Sequence, residues 1–136
     1  MKIYFAGSIT GGRDDVHIYQ KIIEILKTYG PVLTEHVSSS TISDKGEHTL
    51  TPEFIFTRDQ DWLKESDVVI AEISNPSLGV GYELGHAEAL GKKILCLYRN
   101  GSEKSLSNMI SGNKNMNVVS YNAVEDLLEM FKNFLR

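Results

Sequence analysis

The residues best suited to chemistry lie in one run, Asn75-Pro76-Ser77-Leu78-Gly79-Val80-Gly81-Tyr82-Glu83-Leu84-Gly85. Pro76 ends the apolar run before it, and Ser77 is an N-cap by type and position for a helix that follows. The free N–H groups of a helix start can hold an anion, above all a phosphate. Gly79, Gly81 and Gly85 lie inside the predicted helix, where each costs about 1 kcal/mol relative to alanine. That cost predicts a close approach of something to this helix. Glu83 falls about a turn and a half past the helix start. With Val80, Leu84 and Ala87 as the buried stripe, it sits at the stripe's flank and faces a cleft. Two readings of Glu83 stand: a surface carboxylate, the commoner case for a glutamate, or a catalytic carboxylate beside a phosphate-binding helix start.

A second loop has the same character. Gly7-Ser8-Ile9-Thr10-Gly11-Gly12-Arg13 follows the first apolar run. A strand, a Gly/Ser/Thr-rich turn and a helix form the phosphate-cradling unit of doubly wound folds. The loop is neither G-x-G-x-x-G nor a Walker loop, so dinucleotides and nucleoside triphosphates are poor fits. Ser8, Thr10 and Arg13 add donors that suit an anion. A plain turn is the competing reading. Tyr4 precedes this loop, His36 follows the next short apolar run, and Asp59 lies on a helix that can lean over the same cleft. His36 reads equally as a solvated loop residue, and Asp59 with Asp61 as an exposed acidic face. The histidines are scattered and form no Cys/His cluster, so no metal or cofactor is expected. A carboxylate pair beside a phosphate cradle remains, the equipment for glycosidic cleavage through an oxocarbenium-like transition state.

These groups need a scaffold that brings loop ends together. Strands are predicted at Lys2–Ala6, Val32–Thr34, Asp67–Ile73, Ile94–Tyr98 and Asn117–Tyr121. Helices are predicted at about Asp14–Tyr29, from Pro52 with Thr51 as N-cap to about Glu65, after Ser77, and at Ala123–Leu135. Phe54, Ile55, Trp62 and Leu63 are expected to be buried on the second helix. On the last, Val124, Leu127, Leu128, Phe131 and Leu135 are expected to face inward. Ser38–Leu50 is polar and without periodicity, and reads as a loop covering the site. The expected fold is α/β: a doubly wound five-stranded parallel sheet, Rossmann-like or flavodoxin-like, with helices on both faces.

The chain has 136 residues and a net charge of −4. That fits one domain over 1–136 with one core, and argues against a nucleic-acid footprint. No apolar run approaches membrane length, so no membrane partner is expected. The single cysteine, Cys96, lies in an apolar run and reads as a buried strand residue. The default location is cytoplasmic, or nuclear in a eukaryote.

The motifs resemble a known family. Tyr4-Phe5-Ala6-Gly7-Ser8-Ile9, Leu33-Thr34-Glu35-His36, Asp59-Gln60-Asp61-Trp62, Pro76 to Gly85 and Leu106-Ser107-Asn108-Met109-Ile110 resemble the 2′-deoxynucleoside 5′-phosphate N-hydrolases of the nucleoside 2-deoxyribosyltransferase superfamily. The resemblance runs through nearly the whole chain in order. It implies that Glu83 is a nucleophile at C1′, that Asp59 serves the leaving base, and that Tyr4 orients the carboxylate. It further implies that Gly7, Ser8, Ile9, Thr10, Gly11, Gly12 and Arg13, with Ser77 and Gly79, hold the 5′-phosphate. His36 would lie near base or sugar. The implied assembly is a homodimer in which the segment with Ser107 and Asn108 meets the neighbour's site and Ser107 reaches its phosphate. Thr10 stands where animal members carry arginine, which removes a charge from the cradle. A deoxyribosyltransferase acting on nucleosides and a non-catalytic nucleotide sensor are the alternatives.

Overall fold

Runs that are apolar on both alternating faces form strands that must be covered on both sides. In the computed structural model, which describes residues 1–9, 15–39, 46–47 and 49–136, three such runs and a partly exposed fourth make one parallel sheet. They are β1 (Ile3–Ala6), β2 (Val68–Glu72), β3 (Lys93–Arg99) and β4 (Val118–Tyr121), in that spatial order. In register, Tyr4 lies beside Val69, Ala71 beside Cys96, and Cys96 beside Val118. The helices are α1 (Val16–Leu26), α2 (Pro52–Glu65), α3 (Leu78–Ala89), α4 (Asn108–Ser111) and α5 (Leu127–Phe134).

Strand alternation splits the core in two. Ile3, Phe5, Ile70 and Leu97 pack with Tyr19, Ile22 and Leu26 of α1 and with Leu127 and Phe131 of α5. Tyr4, Ala6, Val69, Ala71 and Cys96 pack on the other face with Leu63 of α2 and with Val80, Leu84 and Ala87 of α3. Burial on this second face pushes the Cys96 thiol up to about 12, so it is an inert core residue. The expected stripe on α3 is as predicted, and so are two helix starts. Thr51 Oγ1 accepts from Phe54 N–H at 3.1 Å with Pro52 in the first turn, and Ser77 Oγ accepts from Val80 N–H at 3.3 Å.

The expected fifth strand at Val32–Thr34 is a single parallel bridge between Val32 and Ile3. Two backbone bonds complete it: Ile3 N–H donates to Pro31 O, and Leu33 N–H to Ile3 O, each at 2.9 Å. The ladder stops because a side chain takes its place. Thr34 Oγ1 accepts from Phe5 N–H at 2.8 Å and donates to Phe5 O at 2.6 Å, which satisfies the open edge of β1. The chain then turns into a 3₁₀ segment, Glu35–Ser38. The bridge lies on one side of β1 and β2 on the other. The direction in which strands are added to the sheet therefore reverses at β1, and the carboxyl ends of β1 and β2 open onto the crevice where doubly wound sheets hold ligands.

Two burial expectations change. Phe54 of α2 and Leu128 of α5 are exposed, because Gln60 with Leu63, and Leu127 with Phe131, set the inward faces of those helices. The glycines of α3 are not required by packing within the chain: a Cβ at Gly81 or Gly85 would meet nothing within 4 Å among the described residues. Of the loop expected to cover the site, residues 40–45 and 48 fall outside the described residues.

The strand ends beside the crevice are fixed by a buried carboxylate. Glu72 accepts from Ser74 N–H at 2.7 Å, from Ser74 Oγ at 3.0 Å and from the Tyr121 hydroxyl. Burial raises the Glu72 pKa, with these donors working against it. Arg99 stands beside Glu72 and donates to Asp15, just before α1, at 3.1 Å. The carboxyl ends of β2, β3 and β4 and the start of α1 are thus joined in one polar network.

Candidate active site

Pleating points Tyr4 toward α3 rather than α1, since it shares a face with Ala6 and Val69. Its ring is buried, with 1% of its surface exposed. On α3, Glu83 lies three residues after Val80 and one before Leu84, at the edge of the buried stripe. The two meet: the Tyr4 hydroxyl donates to Glu83 Oε2. Burial pushes the Glu83 carboxyl up to about 7; the Tyr4 hydrogen bond opposes this, and the charge of Asp59 adds to it. Burial, and then the neighbouring Glu83 charge, push the Tyr4 phenol far above its ordinary range. Tyr4 is therefore a fixed proton donor at any working pH.

Glu83 retains some surface, and that surface faces a cavity of about 470 Å³. Its walls come from both sides of the crevice: Gly7 and Ile9 after β1, Ser77, Gly79 and Val80 at the start of α3, Asp59 and Phe56 on α2, and Glu47. The capped start of α3, where Ser77 and Gly79 line the cavity, offers backbone N–H groups. The Phe56 and Tyr82 rings, 6.2 Å apart and tilted by 56°, give the cavity an apolar wall with Ile55 and Leu50. Glu83 and Asp59 line the same cavity. The cavity thus combines a helix start suited to an anion, two carboxylates and an apolar aromatic wall.

Asp59 is held from its own helix: Arg58 Nε donates to Asp59 Oδ1 at 2.9 Å. Burial raises the Asp59 pKa, and the Arg58 hydrogen bond and charge resist it. Chemistry with one ionised nucleophile and one protonated acid calls for environments that push the two pKa values apart. In the free protein burial instead moves both carboxyls upward, and the Asp59 charge adds to the shift at Glu83.

The other expected site residues divide. Gly7, Ile9, Ser77 and Gly79 line the cavity with Glu83 and Asp59. A Cβ at Gly7 would sit 3.0 Å from the Tyr19 ring and 3.2 Å from the Phe5 ring, so any other residue would push on those rings. Ser8 is buried below the surface of the turn, where its N–H donates to the Tyr19 hydroxyl at 3.0 Å. Thr10, Gly11, Gly12 and Arg13 fall outside the described residues. His36 is not on the cavity wall. It stands behind it, with Nε2 3.2 Å from Arg58 Nη2 and its ring 5.6 Å from the Trp62 ring. Ser107 belongs to a second cavity of about 560 Å³, together with Leu78, Gly81, Leu106, Met109 and Ile110, and its hydroxyl caps α4 by accepting from Met109 N–H at 3.2 Å. Asn108 is exposed on α4, outside the lining of either cavity. Ser77 and Val80 line both cavities, which are therefore adjacent. Among the described residues no group of three or more His, Cys, Asp or Glu could hold a metal ion. No described helix is long and apolar enough to cross a membrane.

Sequence reasoning missed Arg58, Glu47 and the facing pair Phe56 and Tyr82. An aromatic residue on each of two predicted helices was the available signal for the last two. Nothing local signals the first two.

The sequence matches the nucleoside 2-deoxyribosyltransferase family over residues 3–127. The chain belongs to the nucleoside 2-deoxyribosyltransferase family. Within it, the chain is 59% identical to a 5-hydroxymethyl-dUMP N-hydrolase of Esox lucius, over 82% of this chain and 79% of that one. It is also 59% identical to a 5-hydroxymethyl-dUMP N-hydrolase of Danio rerio, over 82% of this chain and 78% of that one. A solved structure of a Clostridium botulinum CMP N-glycosidase superposes with a TM-score of 0.65 at 23% identity, covering 97% of this chain and 99% of that one, so the nucleoside 2-deoxyribosyltransferase-family chain shares its fold.

Proposed function

We propose that the protein hydrolyses the N-glycosidic bond of 2′-deoxynucleoside 5′-monophosphates, releasing free base and 2-deoxyribose 5-phosphate. The observation that carries this reading is the Tyr4–Glu83 contact, with Glu83 and Asp59 lining one cavity together with the capped start of α3 and an aromatic wall. Relatives named as nucleotide N-hydrolases support it.

In the first step a Glu83 carboxylate oxygen attacks C1′. The bond from C1′ to the base nitrogen breaks, and Asp59 gives that nitrogen a proton. Base leaves neutral, and a deoxyribosyl ester of Glu83 remains. In the second step Asp59, now ionised, takes a proton from water. The water oxygen attacks C1′, and the ester bond breaks to return Glu83. Two displacements retain configuration at C1′ and replace one difficult step by two easier ones. Tyr4 stabilises the ionised form of Glu83 and holds its second oxygen away from the sugar. Positive charge developing at C1′ favours ionised Glu83, the form that attacks.

The turn from Gly7 to Arg13, with Ser77 and Gly79, is proposed to hold the 5′-phosphate. The capped start of α3 supports this, since its unpaired N–H groups and dipole favour an anion. His36 is proposed to act through Arg58 rather than on the substrate. A homodimer is proposed, with Ser107 completing the neighbour's phosphate site. Leu78 at 96% exposure and Met109 at 82%, beside the second cavity, support a partner on that face. A cytoplasmic location is proposed, as the default for a chain with one buried thiol.

Incubation with a deoxynucleoside monophosphate, with and without a second free base, tests the reading; 5-hydroxymethyl-dUMP is the first to assay. Free base with 2-deoxyribose 5-phosphate is expected. An exchanged base would make the protein a transferase, and no reaction with any monophosphate would leave a sensor.

A further inference from the structure

Arg58 has no part in the steps above, yet its guanidinium meets the site from three directions. Nε donates to Asp59 Oδ1 at 2.9 Å. Nη1 and Nη2 grip both oxygens of Glu47 at 3.0 and 2.8 Å. Nη2 also lies 3.2 Å from His36 Nε2; a guanidinium only donates, so that ring nitrogen accepts. The flat face of the group stands 4.8 Å from the Trp62 ring centroid.

We propose that Arg58 is a positioning residue for Asp59, aiming one carboxyl oxygen at the leaving base while Glu47 divides its charge. This rests on the hydrolase reading, in which Asp59 handles the base's proton. Adjacent helical residues diverge by about 100°, so Arg58 and Asp59 meet only because Nε–H folds back along the helix. Holding Oδ1 leaves Oδ2 without a hydrogen bond among the described residues, on a side chain that lines the cavity. Glu47 takes part through Arg58, whose fork it holds. An arginine paired to Asp59 alone would favour its ionised form and spoil it as a proton donor. Here the two-pronged fork is spent on Glu47, and only Nε faces Asp59. Burial chiefly raises the Asp59 pKa, the Arg58 bond and charge oppose it, and the Glu47 charge adds a smaller push upward. The side chains of Arg58, Glu47 and Asp59 are 17%, 11% and 20% exposed, so the contacts are only partly screened by water. A lysine could not replace this planar fork, because one ammonium cannot span three partners at these angles.

The pH profile separates positioning from mere support. The charged and titratable groups that face Asp59 are Arg58 on its own helix, Glu47, His36 from the 3₁₀ segment, and Tyr4 and Glu83 across the cavity. Arg58→Gln removes the group that favours ionised Asp59, so the limb of the kcat profile that requires its proton should move up in pH. Glu47→Gln frees Arg58 to turn its full charge on Asp59, so the same limb should move down. Arg58→Gln should lower kcat about tenfold or more with little change in KM, and Arg58→Lys should restore little of it. Limbs that move together or not at all, or full rescue by lysine, would overturn the proposal. Trp62, the single tryptophan, gives a readout free of turnover. Its emission should change in both variants and respond to dGMP at a pH displaced in opposite directions. Wild-type protein that releases no base would overturn the hydrolase reading, and unchanged Trp62 emission in Arg58→Gln would still overturn this one.

Discussion

Replacing Tyr4 by phenylalanine removes one hydroxyl from a buried site and leaves the ring that fills the space. The lost group is the donor to Glu83. It is the one interaction that lowers the Glu83 pKa; burial and the Asp59 charge, which raise it, both remain. A hydrogen bond to a charged group contributes about 1.5–3 kcal/mol, and a pKa unit corresponds to about 1.4 kcal/mol. The variant's Glu83 should therefore titrate about one to two units above the value of about 7 in the intact site. At pH 7 the ionised fraction would fall from about half to between about 1% and 9%, a loss of roughly 5- to 50-fold in kcat/KM. At pH 9 most or half of Glu83 would be ionised again, and the loss from this cause should shrink to about twofold or less. The assay is kcat/KM for base release from a deoxynucleoside monophosphate between pH 5.5 and about 9.5, where the free enzyme's groups are read. A displaced inflexion with partial recovery at high pH is expected. A Tyr4→Phe protein slowed by one constant factor across that range would refute the role given to the hydroxyl.

Asp59→Asn should slow turnover strongly for poor leaving bases and much less for good ones, since its work is on the leaving group; equal losses for both would contradict that. Deoxynucleoside monophosphates should be better substrates than the matching nucleosides, because phosphate contacts remote from C1′ supply binding energy that orients the sugar; equal kcat/KM for dGMP and deoxyguanosine would remove the phosphate site. Wild-type activity should rise with pH through about 7 as Glu83 ionises, read from the same profiles. Leu78→Glu should shift sedimentation toward monomer and lower activity together, through loss of the neighbour's Ser107; a fully active monomer would rule out a shared site.

Much of the scaffold was legible because its signals are local. The caps at Thr51 and Ser77, Pro52 in the first turn, and the Val80, Leu84 and Ala87 stripe each depend on residues within one or two turns. Val32–Thr34 misled because a short apolar run looks like a strand, whereas the decisive event is a hydroxyl of Thr34 bonding to a backbone 29 residues away. The glycines of α3 predicted a close approach, but Gly81 and Gly85 face open space among the described residues, so their cost is not explained within one chain. Glu83 and Asp59 were marked by position, and their roles by resemblance. Arg58 was invisible because its meaning depends on Glu47 and His36, 11 and 22 residues distant, and no spacing rule joins them.

The central claim is that Glu83 is the nucleophile that forms the ester at C1′. Glu83→Gln keeps the shape and reach of the side chain and leaves the anion donors untouched, so dGMP should still bind. The variant should also melt higher than wild type at pH 8. A carboxyl whose folded pKa is raised to about 7 from 4.5 is less stable in the fold once ionised, and that cost is complete above pH 7. The measurement that decides is the single-turnover rate of guanine release by the folded, dGMP-bound variant. The account predicts a fall of several orders of magnitude. Release at the wild-type rate would contradict it.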